Sequence, residues 1–156
     1  MAEFRTAQRE DCEKILFFIR QLSIYEKMEH LVTAEVTQIE KWLFDRHAAQ
    51  VVFAMEDGKE VGFALYFFNF STFLGKSGLY LEDLFVLPEY RGRGIGKSLM
   101  QHLASICVKE GLGRFEWWCL DWNEPSIAFY KSLGAVPMDE WTTYRLQGEA
   151  LQKLGE

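Results

Sequence analysis

Apolar side chains near the N-terminus recur every three or four residues, which is the spacing of one face of an α-helix. The residues with this spacing are Cys12, Ile15, Leu16, Ile19 and Leu22. A second, shorter helix is predicted to begin with Thr33 as its cap. Val36, Ile39 and Leu43 would share its apolar face. Residues 4–7, ahead of both helices, could form a short first strand.

A run of β-branched and aromatic residues between positions 50 and 70 predicts two antiparallel strands. The run is interrupted at positions 56–59, which read Glu-Asp-Gly-Lys, and Asp-Gly is a strong hairpin signal. Residues 79–86 predict a further strand, in which Glu82 and Asp83 are neighbours. Strict alternation would send these two carboxylates to opposite faces of the sheet, so one of them is expected to face inward.

The second half of the chain alternates strands with helices. Pro88 ends the preceding strand and a glycine-rich turn follows. An apolar stripe within residues 99–107 then predicts a helix that closes before Gly111. Residues 114–120 predict another strand, after which Asn123 can cap a helix that ends at a glycine, Gly134.

The C-terminal part is predicted to close the fold, with strands at residues 135–138 and 143–146 and a helical tail at 149–154. Hairpins thus come first and strand-helix units second. This order predicts an α/β (α+β) fold with one mixed central sheet flanked by helices. With 156 residues, of which 49% are hydrophobic, the chain is expected to form a single domain over residues 1–156.

Charge and cysteine content narrow the range of partners. The net charge of −6 disfavours capture of nucleic acid or of an anionic membrane, and it suits a cationic partner. Cys12, Cys107 and Cys119 lack the close pairs of zinc and redox motifs, so reduced thiols and a cytoplasmic location are expected. We find neither a signal peptide nor a run of about 18 apolar residues, so neither secretion nor membrane insertion is expected.

The most informative segment is the glycine-rich loop 90–98, which reads Tyr-Arg-Gly-Arg-Gly-Ile-Gly-Lys-Ser. Alternate glycines remove the side chains that would keep a phosphate from the backbone. A helix that starts near Gly96 adds unpaired N–H donors and a positive dipole end, so even an acidic protein can bind an anionic cofactor here. A Rossmann fingerprint would need glycine at Lys97 and a Walker A loop would need it at Arg91, so neither motif fits.

The spacing Arg91-x-x-Gly94-x-Gly96, directly after a strand, resembles the acetyl-CoA loop of the GNAT N-acetyltransferase superfamily. Further blocks resemble its spermidine/spermine (diamine) and thialysine N-acetyltransferase branch, and they follow in order over most of the chain. These blocks lie at residues 11–12, 25–26, 80–86, 121–126, 129–131 and 134–135. The resemblance implies the GNAT acyl-CoA N-acyltransferase fold.

Acetyl-CoA is implied as the co-substrate, with no metal. The resemblance assigns the diphosphate to the glycine-rich loop and the pantetheine arm to backbone groups of the strand before it. The residues implied to bind acetyl-CoA are Leu84, Phe85, Val86, Arg91, Gly92, Arg93, Gly94, Ile95, Gly96, Lys97, Asn123, Glu124, Pro125 and Ser126.

Aminolysis of a thioester needs a neutral amine, whereas an alkyl amine with a pKa of about 10 is mostly protonated at neutral pH. Glu82 matches the family's candidate base, acting directly or through water, although a solvated strand carboxylate is an alternative interpretation. Tyr130 matches the family's general acid for the departing thiolate, although it could instead be a core aromatic residue. Direct transfer in a ternary complex is expected, because Cys107 and Cys119 have no evident activating neighbour in sequence.

The resemblance places Tyr25, Glu26, Glu82 and Asp83 near the amine substrate, where carboxylates would attract a cation. An exposed pair at a helix end is an equally simple reading of Tyr25 and Glu26. The polyamine branch has acidic residues near positions 71 and 142, where this chain has Ser71 and Thr142. This departure argues against long polyamines.

The sequence therefore predicts a cytoplasmic acetyl-CoA-dependent N-acetyltransferase. Its substrate is expected to be a small primary amine, such as a diamine, a polyamine or a thialysine-like amino acid. Homodimerisation is implied by the resemblance alone. Two alternatives stay open: an enzyme that acetylates a protein or peptide amine, and a non-catalytic acetyl-CoA-binding sensor. Retention of both Glu82 and Tyr130 argues against the sensor.

Overall fold

The computed structural model describes residues 2–156, which form two compact units. The first unit ends at Trp118 and contains the five strands of the described chain. The second unit comprises Cys119–Glu156. Among the described residues, no helix is both long enough and apolar enough to cross a membrane.

The strands of the first unit form one mixed sheet in the order β1-β2-β3-β4-β5. Neighbouring strands are antiparallel, except that β4 and β5 are parallel. The strands are β1 (Glu3–Thr6), β2 (Gln50–Glu56), β3 (Lys59–Ser71), β4 (Lys76–Val86) and β5 (Phe115–Trp117). Asp57 and Gly58, both at positive φ, connect β2 to β3, which confirms the hairpin predicted from Asp-Gly.

The helices are α1 (Cys12–Tyr25), α2 (Val36–Ile39), α3 (Ile95–Glu110), α4 (Glu124–Ser132) and α5 (Gly148–Leu154). A π-helical segment, Glu40–Asp45, continues α2. The prediction that Thr33 caps α2 is wrong, because the helix begins after Glu35. The side chain of Gln38 accepts a hydrogen bond from the Glu35 backbone N–H at 2.9 Å, which stabilises the helix start at that residue.

Helices α1 and α3 cover opposite faces of the sheet. The ring of Phe18 in α1 stacks on Phe63 of β3 with centroids 5.2 Å apart. A Cβ on the preceding residue, Gly62, would lie 3.5 Å from Leu99 of α3. Because consecutive strand residues face opposite sides, the two helices sandwich the sheet, which confirms the predicted mixed sheet flanked by helices.

The closing strands predicted for residues 135–138 and 143–146 are wrong, since neither segment forms a strand. Alternating apolar residues become a strand only where another strand supplies hydrogen-bond partners. Residues 119–156 contain no strand, so this unit offers them none. The strand predicted at 114–120 is also shorter than expected, because only Phe115–Trp117 pair with β4.

Candidate active site

Strand β4 parts from β5 halfway along its length. β5 pairs with β4 only at Leu79–Leu81. At the next residue, Glu82, the register with β3 shifts, because Leu65 pairs with Asp83 while Tyr66 pairs with Leu81. Glu82 is thus the extra residue of a β-bulge, and beyond it β4 pairs with β3 alone. We call the unpaired side of residues 82–86 the open edge of β4.

Two peptide groups of β4 turn toward this open edge. The N–H of Leu87 donates to Val61 O on the β3 side at 2.9 Å. Since hydrogen-bonded pairs alternate along an antiparallel ladder, Phe85 also turns its peptide group toward β3, whereas Leu84 and Val86 turn theirs the opposite way. Leu84 and Val86 can therefore bond an extended chain, while Phe85 contributes a buried ring.

The glycine-rich loop follows β4 and ends in the first turn of α3. Gly94 has a φ of 79° and is the N-cap of α3, and Gly92 has a φ of 78°. A Cβ on either glycine would meet nothing within 4 Å, so space is open in front of this backbone. The first hydrogen bond of the helix is donated by Ser98 to Gly94 O. The N–H groups of Ile95, Gly96 and Lys97 thus have no partner within the helix, and the cradle fits a diphosphate.

Two of the basic side chains of the loop are engaged elsewhere. The guanidinium of Arg93 forms a 2.6 Å ion pair with Glu56 and lies 5.2 Å from the ring centroid of Tyr90. The side chain of Arg91 turns back toward the end of β4, where its Nε donates to Val86 O at 2.9 Å. The prediction that Arg91 and Arg93 belong to the cofactor site stays a prediction, and within the first unit the N–H groups that face the open space belong to the backbone.

Three acidic side chains lie together at the bulge. Asp83 is mostly buried, and this burial, with the charges of Glu82 and Glu26, raises its pKa to about 7. Burial likewise raises the pKa of Glu26, which follows the last residue of α1. None of the three carboxylates forms an ion pair with another described residue, and Glu82 Oε2 is buried without a hydrogen-bond partner among residues 2–156. A cluster with this excess of negative charge suits a cation.

The same described range contains no group of three or more His, Cys, Asp or Glu side chains arranged to hold a metal ion. The carboxylates of Glu26, Glu82 and Asp83 are thus near enough to affect one another's charge without forming such a group.

Tyr80 is a neighbour of the cluster that the sequence did not single out. Its ring stacks on Phe67 at 5.2 Å, and burial together with the charges of Glu82 and Glu116 raises the pKa of its phenol. The spacing of two residues between Tyr80 and Glu82 on one strand was a possible signal for this proximity.

The remaining predicted site residues belong to the second unit. Asn123 is the N-cap of α4, and its side chain accepts a hydrogen bond from the Ser126 N–H at 3.4 Å. Glu124 and Pro125 occupy the first turn, as the sequence predicts. Tyr130 lies in the last turns of the same helix, with its ring 5.5 Å from that of Phe129.

Comparison with known proteins shows the family to which the chain belongs. Residues 7–135 match the acetyltransferase (GNAT) family. The chain is 34% identical to mouse thialysine N-epsilon-acetyltransferase, over 96% of this chain and 95% of that protein. It is 44% identical to an Arabidopsis thaliana L-ornithine N5-acetyltransferase, over 64% of this chain and 44% of the relative.

A solved structure of similar form is an integron cassette protein from the mobile metagenome of V. cholerae. Its TM-score is 0.83 at 30% identity, and the match covers 99% of this chain and 98% of that protein. The family match extends through β4, the glycine-rich loop and α4, which are the elements that carry the cradle and the candidate catalytic residues. The chain therefore belongs to the GNAT acetyltransferase family and is an acetyl-CoA-dependent N-acetyltransferase.

Proposed function

We propose that this enzyme transfers the acetyl group of acetyl-CoA to a primary amine of a small cationic substrate, by direct attack in a ternary complex. The observation that carries the proposal is the group of three carboxylates without ion-pair partners at the open edge of β4, namely Glu26, Glu82 and Asp83. The edge is followed directly in the chain by the amide cradle of the loop. One arrangement thus offers a site for a cation beside a site for an activated acyl donor.

A thialysine-like amino acid or a short diamine fits this site best. The two named relatives act on thialysine and on L-ornithine, which are both amino acids with a terminal amine. Long polyamines are disfavoured because position 71 offers no carboxylate. The Ser71 side chain is instead buried, and its hydroxyl accepts a hydrogen bond from the Leu74 N–H within the β3–β4 turn at 3.2 Å.

Glu82 is the proposed base. It takes a proton from the substrate ammonium, directly or through water, and the neutral nitrogen then forms a bond with the thioester carbonyl carbon as the carbon–sulfur bond breaks. Backbone N–H groups of Leu84 and Val86 stabilise the charge that develops on the carbonyl oxygen. Tyr130 gives its phenolic proton to the departing thiolate and regains one from solvent, and the nitrogen releases its second proton to solvent as the amide forms. Two protons thus leave the ammonium: one is matched by the proton gained by sulfur, and the other, taken by Glu82, passes to solvent.

The state of two cysteines supports direct transfer. Burial raises the pKa of the Cys12 thiol and of the Cys107 thiol, so both are poorer nucleophiles at neutral pH than an exposed cysteine. An acyl-enzyme would need an activated thiolate, and these two sites work against one.

The rest of the proposal rests on the resemblance and on composition. One catalytic domain over residues 1–156 is supported by the family match, which runs through both compact units. A homodimer is implied by the branch that the chain resembles. A net charge of −6 supports neither nucleic acid nor an anionic membrane as a partner, and three cysteines without close pairs agree with the cytoplasm.

The direct experiment is a screen of small amines with acetyl-CoA, followed by the release of free thiol. We expect turnover with thialysine, ornithine or a short diamine and much less with spermine. Tight binding of CoA without turnover on any amine would contradict the proposal and would favour a sensor.

Tyr130→Phe is expected to lower kcat by about 100-fold, because general acid catalysis typically contributes at least that factor. Only the phenolic hydroxyl is removed, so the affinity for CoA, measured by calorimetry, should stay within about twofold. Phe129→Leu, at the adjacent position of α4, is the control for a general disturbance of the helix. An unchanged kcat in Tyr130→Phe would rule out the assigned role.

Glu82→Gln is expected to move the pH profile of kcat/KM upward. Without the base, the free amine must come from solution, where its pKa is about 10. Activity at pH 7 should fall by at least about tenfold and recover as the pH approaches 9. Glu89→Gln, at an exposed position beyond β4, should keep the wild-type profile. A profile in Glu82→Gln that overlays the wild type would argue against a base at this position.

A further inference from the structure

The side chain of Arg91 contacts both the end of α1 and the end of β4. Its guanidinium carbon is 5.0 Å from the ring centroid of Tyr25 and 4.8 Å from that of Phe85. The two rings are themselves 6.3 Å apart. The guanidinium thus lies beside two neighbouring aromatic rings and contacts both, which is a favourable cation–π arrangement. Lysine reproduces it less well, because it lacks the broad planar cation of arginine.

Arg91 also fixes the last peptide group of β4. Its Nε donates to Val86 O at 2.9 Å. Since Val86 turns its peptide group toward the open edge, this hydrogen bond holds the strand end from the same side as the proposed pantetheine contacts. Arg91 itself belongs to the loop that carries the amide cradle.

Three parts of the site therefore meet at one side chain. These are the end of α1, where Tyr25 precedes Glu26, the open edge of β4, and the diphosphate loop. The cation–π contacts and the hydrogen bond join the guanidinium to α1 and β4. A side chain in this position can affect the binding of both substrates, because it contacts the residue before Glu26 and the strand end before the diphosphate loop.

We propose that Arg91 is a positioning residue, which through its contacts with Tyr25, Phe85 and Val86 orients both the diphosphate loop and the amine-binding end of α1. The amine half of this inference rests on the proposed function. Loss of these guanidinium contacts loosens the loop and the carboxylate of Glu26 together, so both substrates bind less well while the chemical step is preserved.

The test measures CoA affinity by calorimetry in Arg91→Lys and Tyr25→Leu. Each variant is expected to weaken CoA binding by about tenfold, although Tyr25 lies outside the loop. The double variant should bind CoA within about twofold of Arg91→Lys alone, because Tyr25→Leu removes a contact that Arg91→Lys has already lost. Tyr25→Phe keeps the ring and should restore CoA affinity to within about twofold of the wild type. Arg46→Lys, which removes a similar stack over Trp42, should leave CoA affinity unchanged.

The second arm measures steady-state kinetics with thialysine. Arg91→Lys should raise the KM for thialysine about fivefold and leave kcat within about twofold. An unchanged CoA affinity in Tyr25→Leu, or effects of the two single variants that multiply in the double variant, would overturn the positioning role and indicate a direct contact between Arg91 and phosphate. A wild-type enzyme that acetylates no amine would overturn the proposed function, and with it the inference that Arg91 orients the amine-binding end of α1. The CoA affinities of the variants would still decide whether Arg91 orients the diphosphate loop.

Discussion

Gly94→Val is expected to weaken CoA binding by roughly 1000-fold, which corresponds to about 4 kcal/mol. Gly94 has a φ of 79°, and the space that its Cβ would enter is empty for 4 Å. Valine would fill the cradle in front of the unpaired amides and would strain a left-handed backbone position. The loss of two hydrogen bonds to a charged group, each contributing about 1.5 to 3 kcal/mol, accounts for most of the effect. Titration calorimetry with CoA measures it.

Gly75→Val is the matched control for backbone strain. Gly75 lies in the β3–β4 turn with a φ of 65°, and a Cβ there would also meet nothing within 4 Å. Both variants place a β-branched residue at positive φ, so both should lose a similar amount of stability. Only Gly94→Val should lose CoA affinity. Equal CoA affinity in the two variants would contradict the assignment of the loop.

The cradle could be predicted from the sequence because its determinants are local. A strand followed by alternate glycines and an apolar helical stripe requires a tight turn that leads into a helix, and α3 begins next to Gly94 as this pattern requires. The hairpin at Asp57 and Gly58 was predictable for the same reason, since two adjacent residues determine the turn.

The arrangement of the carboxylates was not predictable in the same way. Strict alternation predicts that Glu82 and Asp83 face opposite sides of the sheet, whereas the bulge at Glu82 interrupts the alternation and the charges of both residues act on one site. A bulge depends on the register between two strands that are joined through a distant turn. The residues of β4 alone carry no sign of it.

The contacts of the Arg91 side chain could not be predicted from the sequence either. The resemblance implied that Arg91 binds the cofactor, but the sequence carried no sign of which groups its side chain contacts. The two rings that hold its guanidinium come from positions 25 and 85, which are far apart in the chain and meet only when α1 packs on the sheet. The C-terminal strands could not be judged from local pattern either. Residues 135–138 and 143–146 alternate as strands do, but no strand within residues 119–156 pairs with them, and neither segment forms a strand.

The site combines two opposite electrostatic demands in one acidic protein. A diphosphate needs positive potential and an ammonium needs negative potential. In the proposed function, backbone amides and the dipole of α3 supply the positive potential, and carboxylates that have no ion-pair partners among the described residues supply the negative potential. Since amides carry no net charge, they attract the diphosphate without neutralising the carboxylates at the amine site. This explains how a protein with a net charge of −6 can serve an anionic co-substrate.

The carboxylate cluster has a cost in stability, and Asp83→Asn is expected to reveal it. The pKa of Asp83 is raised from 3.8 to about 7 in the folded protein. At a pH between these two pKa values, Asp83 is ionised in the unfolded chain but still protonated in the folded protein. The free energy of unfolding therefore falls as the pH rises from about 4 to about 7, and it stays low at higher pH. A difference of this size corresponds to about 4 kcal/mol between acidic pH and pH 8.

Asparagine cannot ionise, so Asp83→Asn should be more stable than the wild type by roughly 2 to 4 kcal/mol at pH 8, and the difference should mostly disappear at pH 4. Urea denaturation at both pH values measures this change, with the exposed Asp139→Asn as the control. The same variant should bind a cationic amine less well, because the stabilised site has lost the charge that attracts it. If the free energies of unfolding of Asp83→Asn and the wild type depended on pH in the same way, Asp83 would not be the group that destabilises the folded protein at high pH.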